Sequence, residues 1–187
     1  MSTNRGTALL ALARGAIARS LSVAAPNVRV SWWLLKWGAC FVTLIHESEL
    51  RGCVGSVKAR RPLVQDVRQN AIAAATRDPR FPALRPDELD RVVIEVSLLS
   101  ALHEMSFASE ADAIAQLTPG VDGVLMEYRG QRGTFLPQVW EVLPGREEFF
   151  AQLKIKTALP CAFWSHEVRL WRYRVEKWKD DTLKAAA

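Results

Sequence analysis

The sequence predicts an α+β fold with mixed or antiparallel sheets and flanking helices. Some runs of apolar residues repeat with a period of two and others at three- and four-residue steps, and the two kinds do not alternate regularly. A doubly wound parallel sheet would need that regular alternation. The length of 187 residues suits one domain, or one domain with a smaller lobe, and 49% hydrophobic residues allow a sizeable core.

The chain opens with a predicted amphipathic helix. Its apolar stripe follows helical spacing through Leu9, Leu12, Ala13, Ala16, Ile17 and Leu21. No acidic residue precedes Glu47, which is also a property of mitochondrial transit peptides. Because Arg14 and Arg19 lie off the stripe, we favour a structural helix. Lys36 splits the richest apolar region, so no membrane span of ~18 residues is expected.

Three indoles then crowd together at Trp32, Trp33 and Trp37. Neighbouring indoles can form a stacking platform for nucleic-acid bases. Aromatic side chains more often cap a hydrophobic core. No basic stripe accompanies these residues in the sequence, so we favour the core position.

A β-hairpin is predicted next, with strands at residues 38–45 and 50–57 around a polar turn. A helix follows from Pro62, and its small alanines allow a close approach to a sheet. Residues 91–100 carry apolar side chains on both faces, which predicts a central strand.

The remaining elements follow from local signals. Pro79 and Pro82 make their segment irregular. Ser109 is a predicted N-cap. The predicted elements are a helix at 109–117, a hairpin of 121–128 with 131–136, a helix at 147–159 and a strand at 168–175, before a frayed tail at 179–187.

Charge and cysteine usage narrow the class of protein. The net charge of +5 is too small to identify a nucleic-acid binder without a clustered patch. Three irregularly spaced cysteines do not form a disulfide framework, and free thiols fit a reducing cytosol. The three histidines are far apart, so neither a metal site nor another cofactor is expected.

The strongest candidate site is the Cys53 segment, residues 50–56, with the sequence Leu-Arg-Gly-Cys-Val-Gly-Ser. Strand alternation would put Arg51 and Cys53 on one surface, where a guanidinium favours thiolate over thiol. Gly52 and Gly55 are typical of close backbone approach to a ligand or another strand. The alternative is that Cys53 is a small buried hydrophobe.

Polar residues elsewhere extend the candidate site. Glu95 interrupts an apolar strand, and a buried carboxylate there would need Arg51 or Arg80 as a partner. Gln138 follows a proline at a strand end, and Lys156 lies late in an apolar helix. Each of these residues would otherwise belong to a solvated surface.

The Cys53 segment resembles the Leu-Arg-Gly-Cys-Ile-Gly signature of the AMMECR-type domain family. Further similar segments follow in family order from about Leu9 to Val175, including residues 38–44, 70–75, 78–82, 94–97, 120–123 and 135–139. Residues 140–144 and 147–149 are most similar to the prokaryotic branch that contains AmmeMemoRadiSam system protein A. Many members carry a second cysteine where this chain has Lys154.

The resemblance implies a single two-lobed domain at residues 5–178, with a cleft between a larger and a smaller lobe near the Cys53 segment. It also implies two partners, a Memo-like protein and a radical S-adenosylmethionine enzyme. It implies no reaction. Lys154 puts in doubt any mechanism that needs a pair of cysteines.

Three hypotheses remain open. In the first, the protein is an enzyme or an enzyme subunit. Cys53 is its nucleophile or covalent carrier, Arg51 and Glu95 assist it, and the substrate contacts are Gly52, Gly55, Arg80, Gln138 and Lys156. In the second, it is a non-catalytic adaptor that binds a protein partner or RNA. In the third, the Cys53 segment only fixes a tight strand crossing. The sequence does not indicate an oligomeric state.

Overall fold

The structure is a computed structural model that describes residues 2–25 and 27–180. The chain divides into two compact units. One takes in the chain up to Leu99 with the described residues from Glu176 onward, and the other runs from Ser100 to Val175. Two four-stranded sheets with flanking helices confirm the predicted α+β class. No helix of the described residues is both long and apolar enough to cross a membrane.

The elements follow one another along the chain. They are α1 (Ser2–Ser20), a 3-10 helix (Trp32–Leu35), β1 (Cys40–His46), β2 (Glu49–Gly55), α2 (Leu63–Thr76), a 3-10 helix (Pro86–Arg91), β3 (Val92–Leu99), β4 (His103–Glu104), α3 (Glu110–Ala115), β5 (Gly123–Tyr128), β6 (Gln131–Phe135), a 3-10 helix (Pro137–Glu141), α4 (Arg146–Lys156), β7 (Arg169–Tyr173) and β8 (Val175–Lys179).

The first unit contains a sheet with the strand order β2-β1-β3-β8. Helix α2 packs against β1 and β2, and α1 packs against α2 and β3. The predicted stripe of α1 is buried, with Leu9, Leu12 and Ile17 fully inaccessible to solvent. The predicted hairpin is confirmed as β1 and β2. Strand β3 lies between β1 and β8, as its apolar character on both faces predicts.

The second unit contains a sheet with the order β4-β7-β5-β6 and its own core. Helix α4 buries Phe149, Phe150 and Leu153 there. The predicted second hairpin is β5 and β6, and its turn uses Arg129 and Gly130, both with positive φ. Ser109 caps α3 as predicted, because its side chain accepts a hydrogen bond from the Asp112 N–H.

The carboxyl-terminal segment differs from the prediction. Lys179 belongs to β8, and the Asp180 N–H donates to the Ile94 carbonyl at 2.8 Å. The Asp180 carboxylate pairs with Arg14 at 2.7 Å. Residues 179 and 180 therefore belong to the ordered sheet region rather than to the predicted tail. The rest of that tail, residues 181–187, lies outside the described residues.

The three indoles differ in their exposure to solvent. Trp33 packs against the core, as predicted for all three. Trp32 and Trp37 are 71% and 68% exposed, so the prediction is wrong for them. The cause is the 3-10 helix, whose three-residue turn sends Trp33 and Leu34 inward and Trp32 outward.

Candidate functional site

The pairing between β1 and β2 contains a bulge within the Cys53 segment. Ile45 pairs with Leu50, but Leu44 pairs with Gly52, so Arg51 has no partner across the ladder. From there the register continues through Thr43 opposite Cys53. A bulge bends its strand and redirects the side chain of the extra residue. The side chains of Arg51 and Cys53 therefore do not point in the same direction, as an unbroken strand would require.

Packing accounts for both glycines of the Cys53 segment. A Cβ on Gly52 would lie 2.2 Å from the carbonyl oxygen of Ala74, so α2 can approach the strand only because no side chain is present. A Cβ on Gly55 would meet the ring of Phe41, its cross-strand partner, at 2.2 Å. The close approach predicted for the glycines is to α2 and to Phe41, and their contacts with a substrate stay predictions.

The Cys53 side chain is half-buried and begins a polar row across the sheet. The Thr43 hydroxyl donates to the Cys53 Sγ at 3.4 Å. Thr43 pairs in turn with Glu95 of β3, and the Glu95 carboxylate pairs with Lys177 at 3.4 Å. Residues directly opposite one another lie on the same face of a sheet. We call Cys53, Thr43, Glu95 and Lys177 the cross-strand row.

The backbone of Cys53 is held by an ion pair from the irregular loop after α2. Because β2 is an edge strand, no further strand meets its outer backbone groups. The Cys53 N–H donates to the Asp78 carboxylate at 2.8 Å, and Arg80 donates to the Cys53 carbonyl at 3.2 Å. Asp78 and Arg80 pair with each other at 2.7 Å. The pair takes the place of a neighbouring strand at this one residue.

The charge state of Asp78 follows from these contacts. Its side chain is only 3% exposed, whereas that of Arg80 is 53% exposed. Hydrogen bonds from the Arg80 guanidinium, and then from the Cys53 N–H, hold the pKa of Asp78 far below its ordinary value. Asp78 is therefore an anion near neutral pH, and Arg80 is the cation beside Cys53.

Arg51 does not have the position predicted for it. Its guanidinium donates to the Glu88 carboxylate at 3.1 and 3.2 Å and to the Pro82 carbonyl at 2.8 Å. Burial opposes the charge on Glu88, but the hydrogen bonds from Arg51 and from the Arg85 N–H hold the Glu88 pKa below its usual value. Arg51 thus ties β2 to the loop and to the following 3-10 helix.

The predicted pairing of Glu95 with Arg51 or Arg80 is wrong. Glu95 pairs with Lys177, while the two arginines pair with Glu88 and Asp78. The reason is topological, since β8 brings Lys177 to the far side of β3. Glu95 lies two strands from Cys53, a separation of about 10 Å.

A second polar cluster closes the hairpin on its helix-covered side. Asp66 is fully buried and accepts hydrogen bonds from the Cys40 N–H, the Ser56 hydroxyl, the Asn70 amide and Arg61, at 2.8 to 3.0 Å. Burial, and then the charge of Asp66, raise the pKa of the Cys40 thiol well above its ordinary value. Cys40 is therefore a protonated structural thiol.

Gln138 and Lys156 belong to the second unit and meet around one aromatic ring. Gln138 lines a cavity of about 430 Å³ with Phe135, and its buried Oε1 has no hydrogen-bond partner. The Lys156 ammonium lies 5.0 Å from the centre of the Phe135 ring. Lys154, at the position of the second family cysteine, is buried and pairs with Glu110 at 2.5 Å.

No group of three or more His, Cys, Asp and Glu side chains in residues 2–25 and 27–180 is arranged to hold a metal ion. All three cysteines are free: Cys40 is buried, Cys53 half-buried and Cys161 exposed. Cys53 is thus the one thiol of the three that is both accessible and held among polar groups.

Sequence reasoning missed Asp78, Thr43 and Lys177. Asp78 lies two residues before the predicted Arg80, and its place directly before Pro79 in that irregular segment was the available signal. Thr43 would have needed the position of the bulge, because an unbroken register from the turn places it opposite Gly52. Lys177 follows the last predicted strand and carried no local signal.

The comparisons with known proteins agree with this fold. The AMMECR1 family model matches residues 10–178. A protein of Methanothermobacter thermautotrophicus is 37% identical over 147 residues, covering 75% of this chain and 74% of that protein. A protein of Thermotoga maritima is 39% identical over 142 residues, covering 74% and 76%.

The architecture also occurs among solved structures. The crystal structure of the uncharacterized protein PH0010 from Pyrococcus horikoshii superposes with a TM-score of 0.84 at 30% identity, and the match covers 94% of this chain and 91% of that one. The α+β fold of this chain is therefore one that a solved structure also adopts. The chain belongs to the AMMECR1 family.

Proposed function

We propose that this protein is an enzyme or an enzyme subunit whose reactive group is the thiol of Cys53. The observation that carries the proposal is the setting of that thiol. Its Sγ accepts a hydrogen bond from Thr43 at 3.4 Å, and its peptide is held on both sides by the Asp78–Arg80 pair. The hydroxyl donor lies at the sulfur, and a fixed backbone keeps the nucleophile in one position.

The chemistry that fits this setting is attack on an electrophilic carbon. The thiol proton passes to a solvent base, the sulfur forms a bond to the carbon, and the leaving group departs with the bonding electron pair. The product is a covalent adduct on Cys53. Lys154 at the position of the second family cysteine makes Cys53 the single thiol of this proposal.

The far end of the cross-strand row would contact the substrate. The Glu95–Lys177 pair lies about 10 Å from Cys53, too far for direct proton transfer to or from sulfur. It presents both a carboxylate and an ammonium, so it suits a polar group at the distal end of a bound molecule. Arg80, which is half-exposed beside Cys53, suits an anionic group near the reacting carbon.

We place the protein in the AmmeMemoRadiSam system protein A branch, acting with a Memo-like protein and a radical S-adenosylmethionine enzyme. The support is the resemblance of residues 140–144 and 147–149 to that branch. Three free thiols support a reducing compartment, which we take to be the cytosol. Gln138 and Lys156, around Phe135, would serve a separate substrate contact.

Competitive alkylation tests the thiol. The protein is treated with limiting iodoacetamide at pH 7, and modification of each cysteine is followed by mass spectrometry. We expect Cys53 to react faster than Cys161, although Cys161 is the more exposed. Thr43→Val should slow Cys53 and leave Cys161 unchanged, which makes Cys161 an internal reference.

Three further outcomes separate the alternatives. A rate at Cys53 no higher than that at Cys161 would contradict a reactive thiol and favour an adaptor. Co-expression with the two partners, followed by intact-mass measurement, should show an adduct that Cys53→Ser abolishes. If Cys53→Ala only lowers the free energy of unfolding, the segment has a structural role alone.

A further inference from the structure

An exposed aromatic surface lies in the first unit, in the segment that precedes β1 and outside the strands of the sheet. The 3-10 helix Trp32–Leu35 makes one turn in three residues, so Trp32 and Leu35 project on the same side. Leu35 is 58% exposed, Trp32 71% and Trp37 68%. Two largely exposed indoles within six residues are costly to leave in water, which points to a ligand.

The tertiary structure adds basic groups to the Arg29 and Lys36 that this segment carries in the sequence. Trp37 forms a β-bridge with Pro62, the Leu63 N–H donates to the Lys36 carbonyl at 2.8 Å, and the Gly38 N–H donates to the Arg61 carbonyl at 3.3 Å. These bonds lay the basic run at residues 58–61, Lys-Ala-Arg-Arg, against the segment that carries the indoles.

The two segments that form this surface carry charge of one sign. No acidic residue occurs in residues 27–46 or in residues 50–65. The nearest carboxylate along the chain is Asp66, which is fully buried and already paired with Arg61 at 2.8 Å. Arg29, Lys36 and Arg60 are exposed. The surface therefore fits an anionic partner.

We propose that Trp32, Trp37, Lys36, Arg29 and Arg60 form a binding surface for single-stranded nucleic acid. Successive bases stack on the two indoles, and the exposed cations contact the phosphates between them. The Lys36 ammonium, 4.9 Å from the centre of the Trp32 ring, already places a cation at a stacking site. A duplex is excluded as the preferred ligand because its base faces are covered by their neighbours.

The inference is independent of the thiol chemistry. None of these residues belongs to the cross-strand row or touches Cys53 through a described hydrogen bond. Cys53→Ser should therefore leave nucleic-acid binding unchanged, and loss of binding at the indoles should leave the alkylation rate of Cys53 unchanged.

Fluorescence anisotropy with labelled oligonucleotides of about 12 nucleotides tests the proposal, because such a length spans a typical single-strand site. We expect binding to single-stranded RNA or DNA and much weaker binding to the matching duplex. Trp32→Ala and Trp37→Ala should each raise the Kd about tenfold, the effect of losing one stacked base. Both side chains are exposed, so circular dichroism should show both variants folded.

Salt dependence checks the phosphate contacts. With about three phosphates neutralised, log Kobs should fall with log salt concentration at a slope of about −2. Arg60→Gln should make that slope shallower by about 0.7. Arg85→Gln is the matched control, since it removes the same charge from another exposed site of the same unit and should leave the slope unchanged.

Three results would overturn the proposal. They are equal affinity for duplex and single strand, binding that survives both indole substitutions, and binding only to vesicles of anionic phospholipid. The last result would assign the same surface to a membrane. Circular dichroism of the indole variants excludes unfolding as the cause of lost binding. Arg85→Gln excludes a general effect of net charge.

Discussion

Cys40 and Cys53 lie on adjacent strands of one hairpin, yet their side chains differ in sheet face, in burial and in neighbouring groups. Cys40 faces the helices, is fully buried, and is surrounded by Asp66 and Asn70, which hold its backbone. Cys53 faces the other way, is half-buried, and meets a hydroxyl and the Asp78–Arg80 pair. The strand face decides whether a cysteine is structural or available for chemistry.

The two sites share one hydrogen-bonding arrangement. In each, a buried aspartate from outside the hairpin accepts the backbone N–H of the cysteine, at 3.0 Å from Asp66 and at 2.8 Å from Asp78. Asp66 lies in the first turn of α2 and is fully buried, whereas Asp78 is paired with a half-exposed arginine. The first anchors the core and the second keeps an edge strand rigid beside solvent, and the following substitutions test that difference.

The largest effect is expected at the Cys40 side. Asp66→Ala should lower the free energy of unfolding by about 4 kcal/mol, because it leaves Arg61 without its partner and buried donors unpaired. Urea denaturation measures the loss. Asp87→Ala is the control, since Asp87 is a 60% exposed carboxylate in ion pairs, and it should lower the free energy of unfolding far less than Asp66→Ala does. Equal losses would contradict an anchoring role for Asp66.

Gly52 tests how closely the helix approaches the strand. Gly52→Ala should cost about 3 kcal/mol, because its Cβ would overlap the Ala74 carbonyl and the backbone of α2 would have to move. Gly55→Ala should cost about 1 kcal/mol, since the Phe41 ring that it meets can rotate away. Urea denaturation of both variants measures the two losses. A larger loss of unfolding free energy for Gly55→Ala than for Gly52→Ala would contradict the close approach of α2 to the strand.

We call the Asp78–Arg80 pair, which holds the Cys53 backbone, the clamp, and the pH dependence of Asp78 tests it. Its pKa is lowered in the folded protein, so its contribution is fully present above the ordinary value of 3.8 and is lost as pH falls below it. Asp78→Asn should lower the free energy of unfolding by about 2 kcal/mol at pH 7, as expected for hydrogen bonds to a charged group.

The difference between the protein and Asp78→Asn should narrow as the pH falls below about 4, where Asp78 begins to take up a proton in the unfolded chain. Urea denaturation of both proteins across this range measures it. A difference that stays constant down to the lowest pH at which both fold would show that the charge of Asp78 does not stabilise the clamp.

The smallest effect is expected at Cys53 itself. Cys53→Ser should change the free energy of unfolding by no more than about 0.5 kcal/mol, because the side chain is half-buried and its backbone contacts remain. Cys40→Ser, the matched variant, should cost about 2 kcal/mol, since the site is fully buried and shaped for sulfur. Thermal unfolding of both variants measures the two losses. A lower Tm for Cys53→Ser than for Cys40→Ser would contradict the assignment of Cys40 as the structural thiol.

Local signals predicted most of the elements. Both hairpins, the helix after Pro62, the N-cap at Ser109 and the central position of β3 follow from periodicity, turn residues and capping chemistry. Strands β4 and β8 were not predicted, because they are short and polar. They form by pairing with strands that are distant in the chain. Such pairing has no local signature.

The candidate site was predictable only in part. Its place in the chain was evident from Cys53 between two glycines, and Arg80 proved to be a neighbour of that cysteine. The predicted partners of Arg51 and Glu95 were wrong, because one bulge turned Arg51 away and β8 brought Lys177 to Glu95.

By itself, the sequence determined the α+β class, the Cys53 segment as the centre of interest and the buried stripe of α1, because residues near in the chain specify them. The tertiary structure decided which cysteine is sealed, which aspartate holds each one, and that the basic run at residues 58–61 lies beside the exposed indoles. Register and long-range approach are set by the packing of the whole unit, where one glycine or one bulge redirects several contacts at once.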